Sequence, residues 1–312
     1  MSFETPVVFL VFNRPEVTQR VFEVIAKARP QTLLLVADGP RRDQPNDAVQ
    51  VAATRAIFEQ IDWPCTVHRN FSEENLGCKQ RVSSGLNWAM GIAEQAIILE
   101  DDCLPNPSFF RFCQTLLEKY REDDRVMVVS GNNFQCGRSR TRYSYYFSKY
   151  PHCWGWATWR RAWKRLDLEL NLWPEFRDRG YVHSVSDSTK EAEYWTWVMD
   201  QQLSGSIKSW GYPWLFSNWI HNGLTILPEV NLVSNIGFGD GATHTTTSES
   251  HLADLPTGEL NQIAHPPFVV RHKEADMYTF DNVFRMKTPI IKKLAASFRK
   301  RINRIRSPRK AA

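Results

Sequence analysis

The stretch Ala96-Ile97-Ile98-Leu99-Glu100-Asp101-Asp102-Cys103-Leu104-Pro105 decides the fold class. Four apolar residues in a row read as a buried strand, and the three adjacent carboxylates at its end repel one another unless a cation or positive side chains compensate. Hard cations such as Mn²⁺ and Mg²⁺ take carboxylate oxygens and join protein acids to substrate phosphates. The stretch therefore points to a metal-nucleotide site at the C-terminal end of a strand. The competing reading is a solvated acidic turn.

On both sides of it, strand and helix signals alternate. Strands are expected at Val7 to Phe12, Thr32 to Ala37, Cys65 to Arg69, into Glu100, and at Val126 to Ser130. Helices are expected at about 16 to 28, 48 to 61, 79 to 92 and 108 to 120. Such alternation predicts an α/β fold with a parallel sheet flanked by helices. In open α/β sheets, ligands bind beyond the carboxyl ends of the strands. Three polar loops follow strands directly: Asn13-Arg14-Pro15, Asp38-Gly39-Pro40 and Glu100-Asp101-Asp102.

At 312 residues the chain is long enough for one large domain or two smaller ones, and no Ser/Gly/Pro-rich linker divides it. Six cysteines at 65, 78, 103, 113, 136 and 153 form no CxxC pair and no zinc spacing, which fits a reduced, cytoplasmic setting. The apolar run at 6 to 12 is too short to span a bilayer and reads as a first strand. Charge is uneven: residues 282 to 312 carry eleven Lys and Arg and no acid, against 28 basic and 34 acidic residues in 1 to 281. Within that tail Ile290, Ile291, Leu294, Phe298, Ile302 and Ile305 recur at helical spacing among basic residues. A basic amphipathic helix over 287–310 suits an anionic membrane surface, here the inner face of the cytoplasmic membrane. Nucleic-acid binding and a docked terminal helix are the alternatives, and no nucleic-acid partner is expected. The expected organisation is a main unit at 1–281, divided into a nucleotide half at 1–130 and an acceptor and metal half at 131–281, followed by the tail at 282–312. Ten tryptophans lie between positions 150 and 220, most of them expected in the core and some lining an acceptor groove.

Taken in order, these motifs resemble the glycosyltransferases of the GT-A fold, and in particular the N-acetylglucosaminyltransferase I family and its bacterial sugar-transferase relatives. The resemblance rests on Asn13-Arg14, Asp38, Glu100-Asp101-Asp102, Gly155-Trp156 followed by Trp163, and the run Asn235-Ile236-Gly237 to Thr243-His244, together covering about residues 6 to 245. It implies a Rossmann-like, mixed and mainly parallel sheet, a nucleotide-sugar donor (a UDP-sugar first), and Mn²⁺ or Mg²⁺ held by Asp102. It places Arg14 on the nucleotide, Asp38 on the base, and Asn13, Glu100, Asp101 and Trp156 around the donor.

The residues support several of these roles on their own chemistry. A departing diphosphate must be neutralised. Lys79 and Arg81 follow Asn75-Leu76-Gly77 at an expected helix start, where N–H groups and the dipole favour anions. Their alternative is a solvated helix face, and that of Asp38 is shaping the Asp-Gly-Pro turn. Arg14 has ordinary surface as its alternative. His244 is a second candidate metal ligand, against a hydrogen-bonded loop histidine, and the glycines at 237, 239 and 241 suit a closing loop. An inverting transfer needs a carboxylate base. The family's Trp-Asp-Asp-Trp is replaced here by Trp210-Gly211-Tyr212-Pro213-Trp214, which leaves Asp200 and then Asp240 as candidates. The expected acceptor is a saccharide or lipid-linked saccharide of a cell-surface polysaccharide. A sugar-nucleotide nucleotidyltransferase and a non-catalytic saccharide- or membrane-binding protein are the rival readings.

Overall fold

A computed structural model describes residues 3–238 and 252–285. The candidates Asp240 and His244, and the tail from residue 286 onward, lie outside the described residues.

Ten strands are present among the described residues: β1 Val7–Val11, β2 Thr32–Ala37, β3 Thr66–Phe71, β4 Gln95–Glu100, β5 Cys103–Pro105, β6 Val126–Ser130, β7 Tyr145–Ser148, β8 Trp156–Trp159, β9 Leu224–Pro228 and β10 Val233–Asn235. The helices are α1 Pro15–Ala28, α2 Asp47–Ala56, α3 Gly77–Ile92, α4 Ser108–Lys119, α5 Arg160–Trp163, α6 Trp173–Asp178, α7 Val182–Val185, α8 Thr189–Leu203, α9 Gly211–Ile220 and α10 Lys273–Thr279. Eight strands form one sheet in the order β3-β2-β1-β4-β8-β6-β9-β7. Strands β3, β2, β1 and β4 are mutually parallel, β8 runs antiparallel to both β4 and β6, β6 and β9 are parallel, and β7 closes the edge antiparallel to β9. The sheet is thus mixed and mainly parallel, as the alternation and the resemblance together imply.

Strand residues alternate between two apolar layers, which is why the central strands read as unbroken hydrophobic runs. Val7, Phe9, Leu33, Leu35, Ile97 and Leu99 pack on one face with Phe22 of α1 and Phe112 of α4. Val8, Leu10, Leu34, Val36 and Ile98 pack on the other with Val82, Leu86, Ala89 and Met90 of α3. A third apolar cluster, built on Tyr150, Trp173, Trp195, Phe216 and Trp219, holds the helical layer of α6, α8 and α9 together.

One candidate falls at this level. Trp156 sits in β8 between β4 and β6, opposite Ile98 on one side and Ser130 on the other. Its ring is fully buried against Trp163, Trp210 and Trp214, stacked on Trp210 at 5.6 Å. It is a core residue rather than a donor contact, because its ring is enclosed by other side chains.

Candidate functional site

Parallel pairing of β1, β2 and β4 brings the three polar loops to one edge of the sheet, where a cleft of about 180 Å³ is lined by Phe12, Asn13, Arg14, Asn75, Arg81 and Glu100 among others. Arg14 is part of this lining. The guanidinium pairs with Asp101, lies 2.9 Å from Asp102 Oδ2, and donates from Nη1 to the Gly237 carbonyl at 3.4 Å. Asp101 also accepts from the Phe12 amide at 3.3 Å. Short strand β10 runs antiparallel to β5, and the Ile236 amide donates to the Asp102 carbonyl at 2.8 Å. Asn235-Ile236-Gly237 is therefore folded onto the acidic loop. A Cβ on Gly237 would overlap the Asp102 carboxylate and stand 2.7 Å from Arg14 Nη1, so this position needs glycine for close approach.

Three consecutive carboxylates share that one guanidinium, and the electrostatics record the imbalance. Burial, then the charges of Asp102 and Asp101, push Glu100 up to about 8 against the pull of Arg14. Burial also lifts Asp101, to about 6, although Arg14 opposes it. Burial by itself would lower the Arg14 guanidinium, but the charges and hydrogen bonds of Asp101 and Asp102 outweigh it and raise it. The Cys78 thiol, buried beside the same acids, is pushed up to about 12 and stays protonated. A hard divalent cation needs only one or two protein carboxylates when substrate phosphates complete its shell. The loop fits that requirement. It carries surplus negative charge, and Asp102 Oδ1 has only the Cys103 thiol at 3.5 Å against it among the described residues. Also among the described residues, no three His, Cys, Asp or Glu side chains form a ready-made metal cage.

The remaining candidates divide. Asn13 lies at the cleft, donating from Nδ2 to Asp47 Oδ1 at 2.8 Å. Asp47 in turn accepts from the Arg41 amide at 3.1 Å and from its guanidinium at 2.6 and 2.9 Å, and those bonds hold its carboxyl down at about 2. Arg41 lies 5.3 Å from the centre of the Phe12 ring. Sequence reasoning missed the Phe12, Arg41 and Asp47 group. Its only sequence signal was Arg41 placed directly after the Asp-Gly-Pro turn.

Asp38 lines the cleft, with both carboxylate oxygens engaged. Its oxygens accept from the amides of Gly39 at 2.9 Å, Leu76 at 2.9 Å and Gly77 at 3.0 Å, and from Asn75 Nδ2 at 3.0 Å. It ties the turn after β2 to the start of α3, as its structural alternative describes. Lys79 points elsewhere, pairing with Glu169 at 2.9 Å. Arg81 lines the cleft, but its guanidinium is held by the Asn70 carbonyl and, at 2.6 Å, by Asn70 Oδ1. Two residues apart on a helix means about 200° of rotation, so Lys79 and Arg81 do not serve one anion together. Asp200 is also displaced: its carboxylate accepts from Trp173 Nε1 and Arg177 Nη1, both at 2.9 Å, in the helical layer. It does not line the cleft.

No family model and no curated protein matches the chain. Among solved structures, a mannosyltransferase from Pyrobaculum calidifontis in complex with GDP-Man and Mn²⁺ is similar at 17% identity and a TM-score of 0.37, over 53% of this chain and 46% of that one. This chain thus matches less than half the length of that enzyme. A mutant of the galactosyltransferase LgtC is similar at 12% identity and a TM-score of 0.34, over 88% and 94% of the two chains. An apo UDP-glucose pyrophosphorylase is similar at 10% identity and a TM-score of 0.34, over 71% and 90%. At these scores the functional reading has to come from the site itself.

Proposed function

We propose that the protein is a GT-A type glycosyltransferase that moves a sugar from a nucleotide-diphosphate donor to a saccharide or lipid-linked saccharide acceptor. One observation carries this reading. A single guanidinium, Arg14, which lines a cleft beyond the carboxyl ends of β1, β2 and β4, gathers the acidic run after β4 and the Asn235-Ile236-Gly237 turn.

In this cleft the nucleoside would lie between the Phe12, Asn13 and Arg41 group and the start of α3, with Asn75 and Arg81 at its wall. The diphosphate would face the acidic loop, where Arg14 supplies fixed positive charge already aligned by Asp101 and Asp102. Such preorganised charge stabilises a leaving group without the reorganisation that water would need. Mn²⁺ or Mg²⁺ would be held through Asp102 with Asp101 beside it, and supplies further neutralisation of the departing diphosphate when bound. Asp240, in the segment after Gly237, is the remaining candidate for the base. The tail at 287–310 is proposed as a contact to an anionic surface at the cytoplasmic membrane face. No helix among the described residues is long and apolar enough to cross a membrane.

The test is to incubate the full chain and Mn²⁺ with a panel of UDP-, GDP- and CMP-sugars and follow release of the free nucleotide. Metal-dependent release supports the transferase. Pyrophosphate formed from a nucleoside triphosphate and a sugar 1-phosphate would assign the nucleotidyltransferase instead. Sedimentation with anionic vesicles, compared between the full chain and one ending at residue 285, tests the tail, and equal sedimentation would remove the membrane contact.

A further inference from the structure

A second cavity of about 180 Å³ lies on the same edge of the sheet, beyond the C-terminal end of β6 and the start of β8. Its walls are largely aromatic, from Phe134, Tyr150, Trp154, Trp195, Tyr212 and Phe284. Drug-sized ligands occupy pockets of roughly 300–1,000 Å³, so this one suits a single ring. Buried side-chain nitrogens in the lining are left without a partner. Asn132 is fully buried, His152 is 6% exposed and Trp195 is fully buried, yet Asn132 Nδ2, His152 Nε2 and Trp195 Nε1 have no hydrogen-bond partner among the described residues. Buried polar groups are normally satisfied, and such exceptions mark places where something else binds.

The surroundings fix Asn132 and His152. Asn132 Oδ1 accepts from the Trp154 amide at 3.1 Å, which directs the carbonyl to the backbone and leaves the amide nitrogen unpaired. The His152 ring stacks with those of Tyr150 and Phe284, each 6.3 Å away, and meets Phe134 nearly edge-on at 4.5 Å. Burial lowers its pKa to about 3, so the imidazole is neutral and Nε2 meets a hydroxyl without carrying charge.

A link joins this cavity to the acidic loop. Trp154 packs edge-on against Phe238 at 5.6 Å, and Phe238 directly follows Gly237, which lies against Asp102 and Arg14. A group seated in the cavity is therefore one aromatic contact away from the loop proposed to hold the donor diphosphate.

We propose that this cavity binds one pyranose ring of the acceptor saccharide, with the aromatic walls against its C–H face and Asn132 Nδ2 and His152 Nε2 bonded to its hydroxyls. The site as a sugar pocket stands on the cavity alone, and the word acceptor rests on the transferase reading. A purely apolar ligand would leave both nitrogens unpaired, whereas a sugar offers an apolar face and hydroxyls together.

The probe is a panel of p-nitrophenyl pyranosides of glucose, galactose, mannose and N-acetylglucosamine, followed by saturation-transfer NMR on the full chain. Gly211→Leu is the main variant. Gly211 lines the cavity, and a Cβ there meets nothing nearer than Ser209 Oγ at 3.6 Å, so the larger side chain fills the space without disturbing the backbone. His152→Leu and Asn132→Asp remove one polar contact each, the latter keeping the oxygen that holds the Trp154 amide. At least one pyranoside is expected to bind the wild type, at least tenfold more weakly to Gly211→Leu, and severalfold more weakly to the two polar variants. UDP binding with Mn²⁺, measured in parallel, should be unchanged in Gly211→Leu. No binding by the whole panel, or binding that all three variants retain, overturns the proposal. Pyranoside binding lost in Gly211→Leu while the wild type binds no nucleotide keeps the sugar pocket and rejects the donor site instead.

Discussion

Replacing Glu100 with glutamine should stabilise the protein at pH 8 and do almost nothing at pH 5. In the fold Glu100 is pushed from its ordinary 4.5 to about 8 by burial and by the neighbouring charges of Asp102 and Asp101. A raised carboxyl pKa means that the fold prefers the neutral acid. The penalty is absent below pH 4.5, grows as pH rises, and levels off above about 8. At 1.36 kcal/mol per pH unit the limit is about 5 kcal/mol. Glu100 keeps some contact with solvent, which screens the charge, so about 2 kcal/mol is the working figure. For a chain of this size that is an increase in melting temperature of about 4 °C or less. The assay is thermal unfolding of wild type and Glu100→Gln in chelator at pH 5 and pH 8. A difference of several degrees at pH 8 that shrinks to about 1 °C or less at pH 5 is expected. The same offset at both pH values, or a less stable variant at pH 8, would refute the claim that surplus negative charge is stored in this loop.

Further outcomes follow from the same geometry. Asp38→Ala removes four hydrogen bonds, three of which join the turn after β2 to the start of α3, and should lower unfolding stability by about 2–3 kcal/mol in a denaturant titration. Gly237→Ala places a methyl group against Asp102 and Arg14, and should weaken Mn²⁺-dependent nucleotide binding at least tenfold in calorimetry while far-ultraviolet circular dichroism is unchanged. Lys79→Ala and Asp200→Asn, whose side chains are engaged with Glu169 and with Trp173 and Arg177, should leave donor turnover within about twofold.

Strands β1, β2, β4 and β6 were legible because each is buried on two faces, so Ile97-Ile98-Leu99 or Leu33-Leu34-Leu35 announces itself as a continuous apolar run. The helices announced themselves by periodicity, whereas the contact of Asn235-Ile236-Gly237 with the acidic loop appears only in the fold. The insertion of β8 antiparallel between β4 and β6 was not legible, because Trp156-Ala157-Thr158-Trp159 carries no polarity pattern that tells an interior strand from a groove wall. Side-chain direction was the other gap. An acid after a strand looks the same whether it faces a ligand or, like Asp38, turns back onto amides of the next helix. Lys79 shows the same limit on a helix, where a two-residue step reverses the face.

The central claim is that Asp102 and its loop form a metal-dependent nucleotide site. Its most direct measurement is calorimetric titration of UDP, GDP and CMP, with Mn²⁺ and with chelator, into wild type and Asp102→Asn. Binding of one nucleotide that requires both Mn²⁺ and Asp102 is expected. Binding that is indifferent to both, or none for any nucleotide, would contradict it and leave the acidic loop a structural turn clasped by Arg14.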